Sequence, residues 1–231
     1  VFMEQFLSAL PATLIQGLIY ALISLGVYIT YSILDFPDLG VDGTFPLGAA
    51  VTAVLLTKGV SPWLTLPIAM GVGALAGLFT GFIHVRLKVR DLLAGIITMT
   101  GLFSSNLQIA GSNLTIERST DTIFSSRAVM AAFGGMTLTG RKILVSLLLV
   151  IAVKLGMDAY FRTKSGLLLR AVGDNASLVT TLARDRGRMK ILGLAISNAL
   201  VALAGCIVCH ENRRFSATMG TGQLVYGLAA V

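Results

Sequence analysis

Long apolar runs separated by short polar breaks set the pattern of this chain. Leu10–Leu34, Leu64–Val85, Leu92–Ala110, Ile143–Phe161 and Ile191–Cys209 are each close to the ~20 residues that a helix needs to cross about 30 Å of hydrocarbon. Their apolar positions are continuous rather than alternating, which predicts helices and not barrel strands. The expected fold is all-α, a polytopic transmembrane bundle forming a single domain over residues 1–231. A further apolar run begins after Gly222 and meets the chain end at Val231, so additional helices are expected beyond it.

Phe45–Leu56 breaks the pattern, because twelve helical residues reach only ~18 Å. Joined to Asp35–Thr44 it spans, but as a broken second helix, since Pro37, Gly40, Gly43 and Pro46 each weaken regular helix. Irregular backbone at membrane depth survives only where protein or a water-filled cavity satisfies its polar groups. This places Asp35–Thr44 beside a pathway.

Composition agrees with the pattern: 55% of residues are apolar, 13% are charged, and the mean hydropathy is +0.84. The net charge of +7 is gathered at the ends of apolar runs, which is the positive-inside distribution and not a nucleic-acid surface. Arg86, Lys88 and Arg90 lie in His84–Asp91, and seven Lys/Arg lie between Arg162 and Lys190, so both loops are expected in the cytoplasm. The connection Gly111–Lys142 then lies outside, with an amphipathic patch at Ile123–Phe133, and the N-terminus lies outside as well. Val1–Ala9 lacks a basic region and the first run exceeds a signal core, so that run is expected to remain as a span.

Templates for catalysis are not filled. Gly135–Lys142 has the outline of a phosphate-binding loop, but Arg141 and Lys142 stand where Lys and then Ser/Thr are required. The chain is therefore not expected to be an enzyme. Cys206-Ile207-Val208-Cys209-His210 matches the pattern for covalent haem attachment, and a membrane haem protein is the remote alternative it raises. As the competing reading, cysteines at the end of an apolar helix behave as small hydrophobes.

Asp35, Asp38 and Asp42 are a sharper signal, because carboxylates facing lipid are costly. Two readings fit: they face a solute pathway, or they cap helix breaks at the cytoplasmic rim. Asn106 and Gln108, with Ser104 and Ser105, add polar positions on the fourth run as candidates for the same route. Gly73, Gly77 and Gly81 provide small-xxx-small spacing, expected to pack helices within the chain. Lys154 and Asp158 are expected to form an i,i+4 ion pair.

The loop at about 162–190 has internal design. Gly166 and Gly173 are expected as breaks, Asp174 and Asn175 as caps, and Ala176–Ala183 as a short helix suited to docking on a soluble motor.

Gly166-Leu-Leu-Leu-Arg170-Ala-Val-Gly-Asp174-Asn175, Arg188-Met-Lys190-Ile-Leu-Gly-Leu and Ser197-Asn198 resemble the permease subunits of ATP-binding-cassette importers in the branched-chain amino acid and ribose permease superfamily. Ile33–Leu39, Val41–Ala49 and Leu93–Thr100 are similar to the subgroup associated with aromatic amino acids. The chain departs from the pattern at Ala183, where Gly is expected, and in the more basic Arg184-Asp185-Arg186-Gly187. The resemblance implies a multi-pass protein of the inner membrane that works as a permease dimer. Its implied partners are cytoplasmic ATPase subunits, which bind ATP and Mg, and an extracytoplasmic solute-binding protein; no cofactor is implied for this chain. It assigns ATPase coupling to Arg170, Gly173, Asp174, Asn175, Ala183 and Arg188, while Asp35, Asp38, Asp42, Asn106 and Gln108 remain the pathway candidates. A secondary transporter or channel is the alternative class.

Overall fold

The computed structural model describes residues 2–174 and 186–231. The expected helix Ala176–Ala183, with Asn175 and Ala183, lies outside the described residues. Helix α1 (Phe2–Tyr28) runs into a π-helical turn (Ile29–Ile33), and α2 (Val41–Thr57), α3 (Pro62–Arg86) and α4 (Asp91–Ala110) follow. Strand β1 (Asn113–Thr115), α5 (Arg127–Phe133), α6 (Leu138–Phe161) and α7 (Lys164–Asp174) come next. The order ends with α8 (Arg186–Asn212), β2 (Arg214–Ser216) and α9 (Gln223–Ala229). Five helical segments among the described residues are long and apolar enough to cross a membrane, and α2 is a shorter apolar helix outside that set. The fold is the expected all-α polytopic bundle.

Small residues put α8 at the centre. Gly73, Gly77 and Gly81 of α3 face Asn198/Ala202, Leu194/Ala195 and Ile191 of α8 so closely that a Cβ on any of them would overlap α8. The spacing therefore packs helices inside the chain, because lipid tails are as apolar as leucine and close backbone approach, with polar pairing, is what favours association. Gly48 of α2 abuts Ala202, Gly205 of α8 abuts Phe45, and the Ser197 hydroxyl donates to Gly26 O at 2.7 Å, bringing α2 and α1 onto the same helix.

One end of the bundle, where α4 stops and α8 ends, carries one departure from an all-helical reading. β1, in the connection expected to lie outside, pairs antiparallel with β2 just after α8, Leu114 opposite Phe215. Phe215 is buried, and the Arg213 guanidinium donates to the carbonyls of Glu117, Arg118 and Thr120. Short pairing of this kind joins segments a hundred residues apart, so no local periodicity announces it.

At the opposite end, α7 lies against the bundle through Leu169 and Val172, both buried. Gly166 and Gly173 do not break the chain; both lie inside α7. A Cβ on Gly166 would overlap Tyr160 O, and one on Gly173 would overlap Ile33 O. Glycine costs a helix about 1 kcal/mol relative to alanine, and here that loss secures close contact instead of a turn.

Candidate functional site

The break in the second span occupies Leu34–Gly40, and regular helix resumes at Val41, earlier than the glycine and proline content suggests. Pro46 is accommodated because it removes a single ladder bond near the start of α2, and Gly43 is held against Met99 of α4. The π-turn widens α1 just before the break: Leu34 N donates to Ile29 O and Phe36 N to Thr30 O. Asp35 follows in the left-handed region with φ 49°, a conformation that Asp tolerates better than most residues. Its side chain is exposed.

Asp38 is buried where four helices converge. Its Oδ1 accepts from Gly40 N at 2.8 Å, the turn that opens α2, and its Oδ2 accepts from Asn198 Nδ2 at 2.8 Å. Asn198 in turn accepts from the Thr44 hydroxyl at 2.7 Å and donates to Leu194 O. Gly95 of α4 approaches Leu39 N and the Asp38 carboxylate from one side, while Thr80 of α3 bonds Thr98 of α4 at 3.0 Å nearby. The carboxylate thus fastens the break to α8, and both of its oxygens are hydrogen-bonded, the condition for such a group in a low-dielectric interior.

Asp42 sits one turn further along, and its carboxylate accepts from Gly222 N at 3.0 Å and from Leu224 N at 2.8 Å. It caps α9, a helix 180 residues away in sequence, rather than its own helix. It also lines a cavity of about 240 Å³ with Gly43, Pro46, Met99, Thr100 and Phe103. Capping and cavity lining therefore coincide in one residue.

The pathway candidates on α4 separate. Asn106 is buried and donates to Gly43 O at 3.1 Å, whereas Gln108 is exposed on another face. Residues two apart on an α-helix point about 200° apart, so a single stripe holding both is ruled out. Asn198 is the residue that sequence reasoning left off the site; the available signal was a lone amide in the most apolar span, expensive there unless paired.

On α7, Arg170 places its guanidinium over the Phe161 ring, 4.8 Å from the centroid, and points away from the buried face of the helix. Arg188 is exposed on the first turn of α8. His84 bonds Val89 O at 2.9 Å and meets the Phe36 ring edge-on, tying the basic α3–α4 turn to the broken segment. Among the described residues, Lys88, Arg90, Arg186 and Lys190 border one cleft of about 720 Å³.

The Cys206–His210 run is consumed by packing. Both cysteines and His210 are buried within α8, and the His210 ring nitrogen Nε2 bonds the Thr65 hydroxyl at 2.8 Å. Lys154 and Asp158 form the expected ion pair at 2.6 Å, on the outer face of α6.

Comparison with known proteins places this arrangement. The chain is 38% identical over 225 residues to a tyrosine transport system permease protein of Clostridioides difficile, covering 97% of this chain and 72% of that protein. It is 31% identical over the same length to the uncharacterized protein RP368 of Rickettsia prowazekii, covering 97% and 76%. It is 27% identical over 220 residues to the ribose import permease protein RbsC of Haemophilus influenzae, covering 94% and 65%. No solved structure shows a significant match. The family described as branched-chain amino acid transport system, permease component, matches residues 10–231, and the chain belongs to it: a multi-pass membrane permease of the ATP-binding-cassette type.

Proposed function

We propose that this chain is the membrane-spanning subunit of an ATP-driven importer whose cargo is an amino acid, aromatic side chains being preferred. The observation that carries the reading is the contact of Gly173 with Ile33 O. It joins a cytoplasmic helix, placed where a motor subunit can push it, directly to the π-turn ahead of the broken span. From there the Asp38–Asn198 bond leads to the central helix, and the Asp42 cap leads to α9 and the cavity beside α4. Movement of α7 is thereby transmitted to the backbone that borders the route, as a switch between two packed arrangements requires.

In this reading Arg170, Gly173, Asp174 and Arg188, with Asn175 and Ala183, form the coupling region. ATP and Mg are bound by partner ATPase subunits, an extracytoplasmic protein delivers solute, and two permease chains share one axis. The similarity to a tyrosine permease supports the aromatic preference, and the similarity to a ribose permease defines the comparison to run. The permease, co-expressed with ATPase and binding-protein subunits of its own organism and reconstituted in liposomes, is expected to accumulate L-tyrosine only with ATP. Uptake that persists without ATP overturns the reading in favour of a secondary transporter, and accumulation of ribose but not tyrosine overturns the cargo.

A further inference from the structure

A second cavity, separate from the one beside Asp42, opens at the outer end of the bundle. It has a volume of about 390 Å³ and lies between α1, α2, the end of α8, β2 and the start of α9. That volume falls within the range of small-molecule sites. Its lining divides by chemistry. Ile19, Tyr20 and Phe45 form an apolar wall, and Tyr20 is stacked on Tyr226 with ring centroids 5.2 Å apart.

Three polar groups on the lining can each take a further partner. Gln223 is only 8% exposed; its Nε2 donates to Met219 O at 3.0 Å, while its Oε1 is buried without a partner. A buried carbonyl oxygen without a donor is costly and marks a place where a ligand can contribute one. Glu211 is mostly enclosed; Lys142 Nζ donates to its backbone carbonyl at 3.4 Å and reaches one carboxylate oxygen only at 3.9 Å, a long ion pair that leaves the carboxylate able to accept from a ligand. Arg214 is exposed and forms no ion pair among the described residues. Glu211 and Arg214 thus border one cavity with opposite charges that do not pair with each other.

A ligand that satisfies all three carries an ammonium for Glu211 and Gln223 Oε1, a carboxylate for Arg214 and an apolar or aromatic body for the Tyr20 wall. A neutral sugar gains from neither charge, and a phosphate ester is repelled by Glu211. We propose that this cavity is a binding site for one zwitterionic α-amino acid on the extracytoplasmic side of each permease chain, where cargo is received before it reaches the Asp42 cavity. The proposal rests on the importer reading above, which supplies an amino acid as cargo, and adds the residues that recognise it.

The test is equilibrium binding of radiolabelled L-tyrosine to the permease–ATPase complex in lipid nanodiscs, without the binding protein. Saturable binding is expected at one molecule per permease chain. Tyramine, which lacks the carboxylate, and 3-(4-hydroxyphenyl)propionate, which lacks the amine, are each expected to compete about tenfold or more less well than tyrosine, since each forfeits charge-assisted hydrogen bonds. Arg214→Gln should weaken tyrosine by a similar factor and bring tyramine level with it; Gln223→Leu should weaken tyrosine in a monodisperse complex. Equal competition by tyramine overturns the proposal without any variant, as does the absence of saturable binding up to ~2 mM, near the solubility of tyrosine, where a site with a dissociation constant of about 1 mM is more than half filled. ATP-driven uptake of tyrosine in liposomes is measured in parallel. Uptake without site binding removes this cavity and leaves the importer reading; binding without uptake removes the importer reading and leaves the cavity.

Discussion

Helices α6 and α8 are both long and apolar enough to span a bilayer, yet 17% of the α6 window is buried inside the protein against 78% of the α8 window. The difference lies in side-chain size. The outward positions of α6 are Leu147, Leu148, Ile151 and Leu155, all exposed, and a Cβ on its Gly156 would meet nothing within 4 Å. By contrast, α8 offers Gly193, Ala195, Ala199, Ala202 and Gly205, with Ser197 and Asn198 bonded to two other segments. Hydrocarbon solvates large apolar side chains as well as a protein core does. Only close backbone approach and polar pairing distinguish the centre from the rim.

The strongest way to break this comparison is to put bulk at the centre. Gly77→Leu forces a side chain into the Leu194 carbonyl of α8 and is expected to cost more than about 3 kcal/mol, enough to abolish recovery of monodisperse permease from mild detergent. Gly156→Leu, the same change on α6, should give near wild-type recovery. Equal damage from both would show that α6 packs as tightly as α8.

Asp38→Ala comes next, because it leaves Gly40 N–H and the Asn198 amide without their acceptor in a sealed site. A loss of about 2–3 kcal/mol is expected, read as earlier reaction of buried Cys206 and Cys209 with a thiol-reactive dye on heating. Unchanged melting would detach Asp38 from the central helix.

Gly173→Ala sharpens the comparison at the inner end. The methyl group has no room beside Ile33 O, so α7 must move away from the π-turn. ATP-dependent uptake should fall about fivefold or more while ATPase activity continues, the size of a typical coupling free energy. Uptake and hydrolysis that stay in their normal ratio would remove this contact from the relay.

A smaller effect is expected at Asp42. Asn retains an acceptor for the α9 amides and should melt within about 1 kcal/mol of the parent, whereas Ala loses the cap and should cost roughly 1–2 kcal/mol. If uptake changes in Asp42→Asn while melting does not, the carboxylate serves the pathway as well as the cap. The smallest effect is assigned to Lys154→Ala on α6, whose partner Asp158 is half exposed; below about 0.5 kcal/mol is expected in the same dye assay.

Much of this was legible in the residues. The five spans follow from run length, the break between α1 and α2 from proline and glycine, and the α3 contact face from Gly73, Gly77 and Gly81. The Lys154–Asp158 pair follows from helical spacing. These are local properties, and each depends on a few neighbouring positions and the fixed geometry of a helix.

Other features needed the folded chain. Gly166 and Gly173 look like breaks and are helix contacts, because a missing Cβ serves a turn and a close approach equally well. Asp42 looks like the cap of its own helix and caps α9, and Asp38 finds Asn198 across 160 residues of sequence. The membrane-spanning character of the chain and its five long apolar helices are written in the residues alone, since both follow from transfer between water and hydrocarbon. The tertiary structure alone decided which helix is central, which carboxylate is sealed and which groups surround the outer cavity. Those depend on the shape and partners of segments far apart in the chain, to which transfer free energy is blind.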